Sequence, residues 1–159
     1  NNMQPAVKTL ILSGDKDFIQ LKRYGYVTQY NPCLKKYIEG LDPKLYIAEH
    51  VMKGDRSDGI PNFLSDDSCL VEGRRQKPLA KVKIARWSTM SPEEFCYSDE
   101  TMENYRRNQR LIDFDYIPEE ISAKIIDTYE SANPPSRKHI FAYMVENQLN
   151  DLVHYVSDF

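Results

Sequence analysis

The chain lacks any run of about eighteen apolar residues, the length a helix needs to cross a bilayer, so no membrane span is predicted. Its first residues, Asn1-Asn2-Met3-Gln4-Pro5-Ala6, have neither the basic region nor the apolar core of a signal peptide. Cysteine is scarce. Cys33, Cys69 and Cys96 are odd in number, widely spaced and without a C-x-x-C pair, so neither a disulfide framework nor a cysteine zinc site is indicated. The histidines are few and scattered: His50, His139 and His154 show no H-E-x-x-H spacing and read as structural residues. A basic excess is missing as well. A net charge of -3 and a pI near 5.7 argue against holding nucleic acid by overall charge, while leaving room for a local patch. The expected compartment is a reducing cytoplasm, and a Met at position 3 behind two Asn reads as the start of a fragment.

What is present is an ordinary globular composition, 159 residues with 41% hydrophobic and 28% charged, enough for one domain or two small ones. The apolar run Leu10-Ile11-Leu12 ends at Ser13-Gly14-Asp15 and predicts a fully buried strand over 7–12, of the kind found in parallel sheets covered on both faces. Loops at the carboxyl ends of such strands form sites. A short helix is predicted over 17–23 with Phe18 and Leu21 on one face, then a strand over 26–30, a turn at Asn31-Pro32 and an extended stretch over 36–38. No parallel neighbour for the first strand is visible, and about 40 residues is near the lower limit for independent folding, so an upstream half is expected to be missing. The alternative is a small antiparallel appendage to the rest of the chain.

Beyond Gly40 the periodicity is helical. Asp42-Pro43 caps and opens a helix to about Lys53, and further helices are predicted over 79–87, 91–97 (Ser91 as cap, Glu94 at the capping-box position), 100–111 and 118–131. After a break at Pro134-Pro135, two more are predicted over 137–148 and 151–156. The fold class is therefore an α/β remnant of a parallel-sheet domain, residues 1–40, with a mainly α-helical domain after it, residues 41–159.

Two carboxylate pairs stand out. Asp15 and Asp17, two apart at the end of an extended segment, can face one cation because side chains alternate with period two. Asp55 and Asp58, three apart in Gly54-Asp55-Arg56-Ser57-Asp58-Gly59-Ile60-Pro61, point the same way in a helical or type I turn. Oxygen ligands of this type suit Mg²⁺ or Mn²⁺. Calcium loops are excluded: an EF-hand begun at Asp15 would put Gln20 at the obligatory glycine and Tyr26 at the bidentate glutamate, and one begun at Asp55 would put Ile60 and Asp66 there. Spacing alone leaves two readings open, cation ligands or solvent-facing turn and cap aspartates. Charge is also segregated. Between Gly73 and Pro92 lie Arg74, Arg75, Lys77, Lys81, Lys83 and Arg86 and no acidic residue, a stretch able to neutralise phosphates without reading bases, or else a solvated basic face.

Ser13-Gly14-Asp15-Lys16-Asp17-Phe18-Ile19-Gln20-Leu21 resembles the S-x-D-x-D-x-x-Q-L signature of the 5′ nuclease and flap endonuclease family, and Gly54 to Pro61 resembles its second signature, G-D-x-S-D-N-I-P. The likeness is greatest to phage-type members and extends through Arg110-Leu111-Ile112-Asp113-Phe114-Asp115-Tyr116-Ile117-Pro118 to Phe159. It implies the C-terminal half of a metal-dependent 5′-3′ nuclease that removes RNA primers and 5′ flaps during DNA replication in a phage-infected bacterium. Asp15 and Asp17 would be the ligands nearest two Mg²⁺ or Mn²⁺ ions, with Asp55 and Asp58 completing the cluster partly through water. It implies too a helix-loop-helix element over about 42–87 that binds duplex DNA or RNA-DNA, with Lys53, Arg56, Arg74, Arg75, Lys77, Lys81, Lys83 and Arg86 as candidate contacts. The absent N-terminal half would carry further ligands, so the chain alone is expected to be an incomplete enzyme, or a non-catalytic binding fragment active only with that half. A single-stranded-DNA-binding protein is an expected partner of the C-terminal helices. There, Tyr129, Phe141 and Tyr143 are read as core or partner-facing rather than base-stacking. One departure from the family pattern is clear: Asn62-Phe63-Leu64-Ser65-Asp66-Asp67-Ser68-Cys69-Leu70 stands where cellular members have a glycine-rich turn, so the resemblance does not carry over a monovalent-cation site made from turn carbonyls.

Overall fold

The computed structural model of the chain describes residues 7–133 and 137–158, so the Pro134-Pro135 break lies outside the described residues. One compact unit ends at Ile117 and a second begins at Pro118. No helix among the described residues is long and apolar enough to cross a membrane.

The first unit opens with a three-stranded sheet of order β1 (Thr9–Leu12), β2 (Val27–Asn31), β3 (Lys36–Tyr37). β1 and β2 run parallel, Thr9 opposite Val27 through Leu12 opposite Tyr30, while β3 returns antiparallel with Tyr37 opposite Tyr30. The parallel neighbour that sequence did not reveal is thus β2. The connection between them is a 3₁₀ helix, Lys16–Tyr24, closed by Gly25 at φ +46°, a left-handed conformation that favours glycine.

β2 alternates, but its inward residues are Val27, Gln29 and Asn31, two of them polar. The buried Gln29 amide donates to the backbone carbonyls of Ser13 (2.9 Å) and Asp15 (2.5 Å), and Asn31 Oδ1 accepts from Leu34 N at 3.0 Å. The predicted burial of β1 is corrected: Leu10 is 50% and Leu12 68% exposed, because among the described residues β1 is paired on one side only.

Helix starts obey their caps. Asp42 Oδ1 accepts from Lys44 N (2.8 Å) and Leu45 N (3.1 Å), and Pro43 opens α1 (Pro43–Lys53). α2 is Lys81–Trp87; α3 (Pro92–Phe95) begins where Glu94 Oε2 reaches back to Ser91 N at 2.7 Å; α4 is Asp99–Ile112. The core joins Val51 and Met52 of α1, Ile60, Phe63 and Leu64 of the loop after it, Ile84 of α2, Phe95 of α3, and Tyr105 and Ile112 of α4. Phe63 is fully buried and meets Trp87, Phe95 and Tyr105 edge-on, with ring centroids 5.6 to 6.1 Å apart. The stretch that departs from the glycine-rich turn thus places Phe63 and Leu64 in the core.

The second unit holds α5 (Glu119–Ser131), α6 (Ile140–Glu146) and α7 (Asn150–Val153). Met144 is buried within it, whereas Tyr129, Phe141 and Tyr143 are all exposed.

Replacing Phe63 by Ala removes the ring at the centre of this cluster. It is expected to lower the stability of the first unit by about 3–5 kcal/mol, read by urea unfolding monitored through Trp87 fluorescence.

Candidate metal centre

Asp15 and Asp17 meet by a local capping interaction, not by the strand alternation expected from their spacing. Asp15 is the N-cap of the 3₁₀ helix; its Oδ1 accepts from Asp17 N at 3.0 Å, and its own N–H donates to Ser13 Oγ at 3.1 Å. Gly14 allows this turn to press on β2, since a Cβ there would lie 2.9 Å from Asn31 Nδ2.

Asp55 belongs to a turn of the same character. Its Oδ1 accepts from Ser57 N (2.8 Å) and Ser57 Oγ (2.5 Å), and its carbonyl accepts from Ile60 N at 2.7 Å. Gly54 before it adopts φ +67°, and a Cβ at that position would run into the carbonyl oxygens of Ile60 and Pro61. Capping and clustering thus describe the same residues: each pair includes one carboxylate with one oxygen engaged locally and the other left open.

All four aspartates line one cavity of about 600 Å³, together with Tyr46 and His50 of α1. His50 Nε2 lies 3.5 Å from Asp17 Oδ1 and 3.7 Å from Asp55 Oδ2, so the imidazole stands between the two pairs. Tyr46, one helical turn earlier, stacks on it at 5.5 Å. Neither residue is marked by ligand spacing. The signal is positional: His50 occupies the last turn of the helix that runs directly into Gly54-Asp55.

The electrostatics differ between the pairs. Burial raises the pKa of Asp17, and the charge of Asp15 adds to the effect, with smaller contributions from Asp55 and Asp58 that His50 partly offsets. The Ser57 hydroxyl, foremost, holds Asp55 below the usual carboxylate range. Tyr46 is pushed up to about 12 by burial and by Asp17, Asp15 and Asp55. Among the described residues no three His, Cys, Asp or Glu side chains form a ready metal-binding group. The donor set is hard oxygen with open lone pairs, which fits a Mg²⁺ or Mn²⁺ ion that retains most of its water.

The basic candidates separate into two groups. Lys53 pairs with Glu49 (2.6 Å), Arg74 with Asp66 (2.9 Å) and Glu72 (2.6 Å), Lys77 lies 3.6 Å from Glu100, and Lys83 sits over the Trp87 ring. Arg56, Arg75, Lys81 and Arg86 are exposed, with no side-chain hydrogen bond or ion pair among the described residues. α1 packs against α2, with residues 54–80 between them.

Because its pKa is raised, Asp17 contributes stability at acid pH that is lost as the pH rises through its folded-state pKa. Asp17→Asn is therefore expected to raise the melting temperature of the metal-free protein at pH 7. The gain should shrink towards zero as the pH falls through the carboxylate range, measured by thermal denaturation across a pH series.

Residues 42–159 match the family described as T4 RNase H, C terminal. The ribonuclease H of Enterobacteria phage T4 is 32% identical over 159 residues, covering 96% of this chain and 52% of that protein. The chain thus spans about half the length of the relative it matches. With both carboxylate signatures in one cavity and the helical part matched from α1 onward, the chain belongs to the T4 ribonuclease H family of 5′ nucleases.

Proposed function

We propose that the chain is the part of a metal-dependent 5′-3′ nuclease, one that removes RNA primers and 5′ flaps during DNA replication, that contains half of the catalytic carboxylates and a duplex-binding face. The observation that carries this is the convergence of Asp15, Asp17, Asp55 and Asp58 on one cavity from segments far apart in sequence. Two carboxylates about 4 Å apart repel by roughly 4 kcal/mol at an effective dielectric near 20, so such a cluster favours a divalent counter-charge. Bound Mg²⁺ or Mn²⁺ ions would supply an activated water and a charge opposite the leaving oxygen. The chain's own part is to hold the cations through the open oxygens of the four aspartates, with His50 and Tyr46 fixing the distance between the loops. Exposed Arg56, Arg75, Lys81 and Arg86, with Lys53, Arg74, Lys77 and Lys83 beside them, would neutralise backbone phosphates along 53–86 irrespective of sequence.

The side of β1 left unpaired among the described residues, with the exposed Leu10 and Leu12, supports a second element of the proposal, that a strand of the nuclease's other half completes the sheet there. One observation favours a non-catalytic binding role for the chain alone: no three-ligand group is present among the described residues. The exposed Ile121, Ile125 and Tyr129 of α5 suit a protein partner such as a single-stranded-DNA-binding protein.

A 5′-flap substrate with Mg²⁺ discriminates these roles: cleavage is expected when the chain is combined with its amino-terminal half and not from the chain alone. Millimolar Mn²⁺ should raise the melting temperature, by the equivalent of about 2.7 kcal/mol at about 100 times its Kd, and Asp17→Asn with Asp55→Asn should abolish the rise. No shift in the parent chain would count against an assembled site. Lys81→Glu with Lys83→Glu should weaken duplex binding for every sequence and flatten its salt dependence; unchanged affinity would remove α2 from the interface.

A further inference from the structure

We propose a second phosphate-binding site on α4, built from Asn104, Arg106, Arg107 and Arg110 and suited to a backbone phosphodiester of the bound nucleic acid. It lies outside the carboxylate cavity and outside the basic segment 74–86, in a separate cavity of about 410 Å³ lined also by Asp67 and Glu103.

Arg107 forms its rigid wall. Its guanidinium donates to Asp67, to Asn104 Oδ1 (3.0 Å), to Asn108 Oδ1 (2.9 Å) and to the carbonyl of Pro61 (3.2 Å), so its direction is fixed from several sides. Because Asn104 Oδ1 faces that donor, the amide orientation is determined by its partner, and Nδ2 is turned the other way. That Nδ2 atom is buried and has no hydrogen-bond acceptor among the described residues. A buried donor without an acceptor is uncommon, and it adds to the local surplus of donors over acceptors. Arg106 and Arg110, one turn apart on the exposed face of the same helix, have no hydrogen-bond or ion-pair partner among the described residues.

The free guanidiniums of Arg106 and Arg110 and an orphan amide, against Glu103 and an Asp67 already paired to Arg107, leave a site rich in donors. Its complement is a group with several acceptor oxygens and negative charge. Planar guanidinium forks match phosphate oxygens in pairs, which lysines do not. The Pro61 carbonyl held by Arg107 closes the very segment that carries Asp55 and Asp58, so the site is braced directly against the carboxylate loop. A strand bound at the carboxylates would therefore meet a second fixed point of contact in the same unit. This inference rests on the proposed nuclease function, and commits to nucleic acid over an acidic protein as the occupant.

The test is fluorescence anisotropy of a labelled duplex with a 5′ flap, titrated with the chain at several NaCl concentrations. It compares the parent, Arg106→Glu with Arg110→Glu, the milder Arg106→Gln with Arg110→Gln, and Asn104→Asp. Both arginines are exposed, so their variants should keep the parent's circular dichroism and melting temperature. Affinity is expected to fall at least tenfold in the Glu pair and less in the Gln pair, and the slope of log K against log salt should drop by about 1.8, two phosphates at about 0.9 each. Asn104→Asp, which turns the orphan donor into a charge of the wrong sign, should also weaken binding. Unchanged affinity and slope in folded variants, while the parent binds, overturn the α4 site and leave the nuclease function standing. Failure of the parent itself to bind the duplex overturns both.

Discussion

Asn108 is completely buried in the middle of α4, and its amide donates to the carbonyls of Val51 (2.8 Å) and Pro61 (2.9 Å). Those two carbonyls stand at either end of the segment that contains Asp55 and Asp58. One fully buried side chain thus cinches the loop that presents the second carboxylate pair. Gln20 acts likewise for the first pair. It lies in the 3₁₀ helix that begins at Asp15 and Asp17, donates to the Ile112 carbonyl (2.9 Å) and accepts from Phe114 N (3.1 Å), at the far end of the same α4. Gln29 then secures the turn beneath Asp15. The unit is organised around α4 as a common rod from which both acidic segments are suspended by buried amides. Such groups are costly to leave unmatched, about 1–3 kcal/mol for each orphaned partner, so the geometry is held by penalty as much as by attraction.

That arrangement explains why some features are legible in the sequence and others are not. Helix positions are legible because capping is local: Asp42-Pro43 and Ser91 with Glu94 each declare a helix start within four residues, and α1 and α3 begin there. The carboxylate pairs are legible as pairs, although their proximity comes from capping and turn bonds. The β1–β2 pairing is not, because its crossover is a 3₁₀ helix too short for a regular apolar stripe and because β2 turns Gln29 and Asn31 inward. Hydrophobic periodicity registers which residues flee water; it does not register a polar residue buried to serve a backbone carbonyl. His50 escapes notice for a related reason. Its position depends on where α1 ends relative to the 3₁₀ helix, a tertiary relation with no trace in residue spacing.

Within the cavity the four carboxylates are not equivalent. Asp55 is held in its charged form by hydrogen bonds from Ser57, whereas burial and neighbouring carboxylates disfavour the charge on Asp17, with His50 as the nearest offset. The basic surface shows a comparable division, because Arg74 is already bound to Asp66 and Glu72 while Lys81 and Arg86 face solvent with no hydrogen-bond or ion-pair partner among the described residues. Counting charges along the chain gives the amount of basic residue but not the fraction free to meet a phosphate.

The exposed edge of β1 has a consequence for the behaviour of the chain in solution. Among the described residues no strand pairs with the outer side of β1, and an edge of that kind, carrying Leu10 and Leu12 on its surface, is a template on which an extended peptide can add. No lysine, proline or bulge within Thr9–Leu12 blunts it. In concentrated preparations two copies are then natural competitors for that edge. Self-association through β1 would be a colloidal property of the isolated chain that disappears once the edge is occupied.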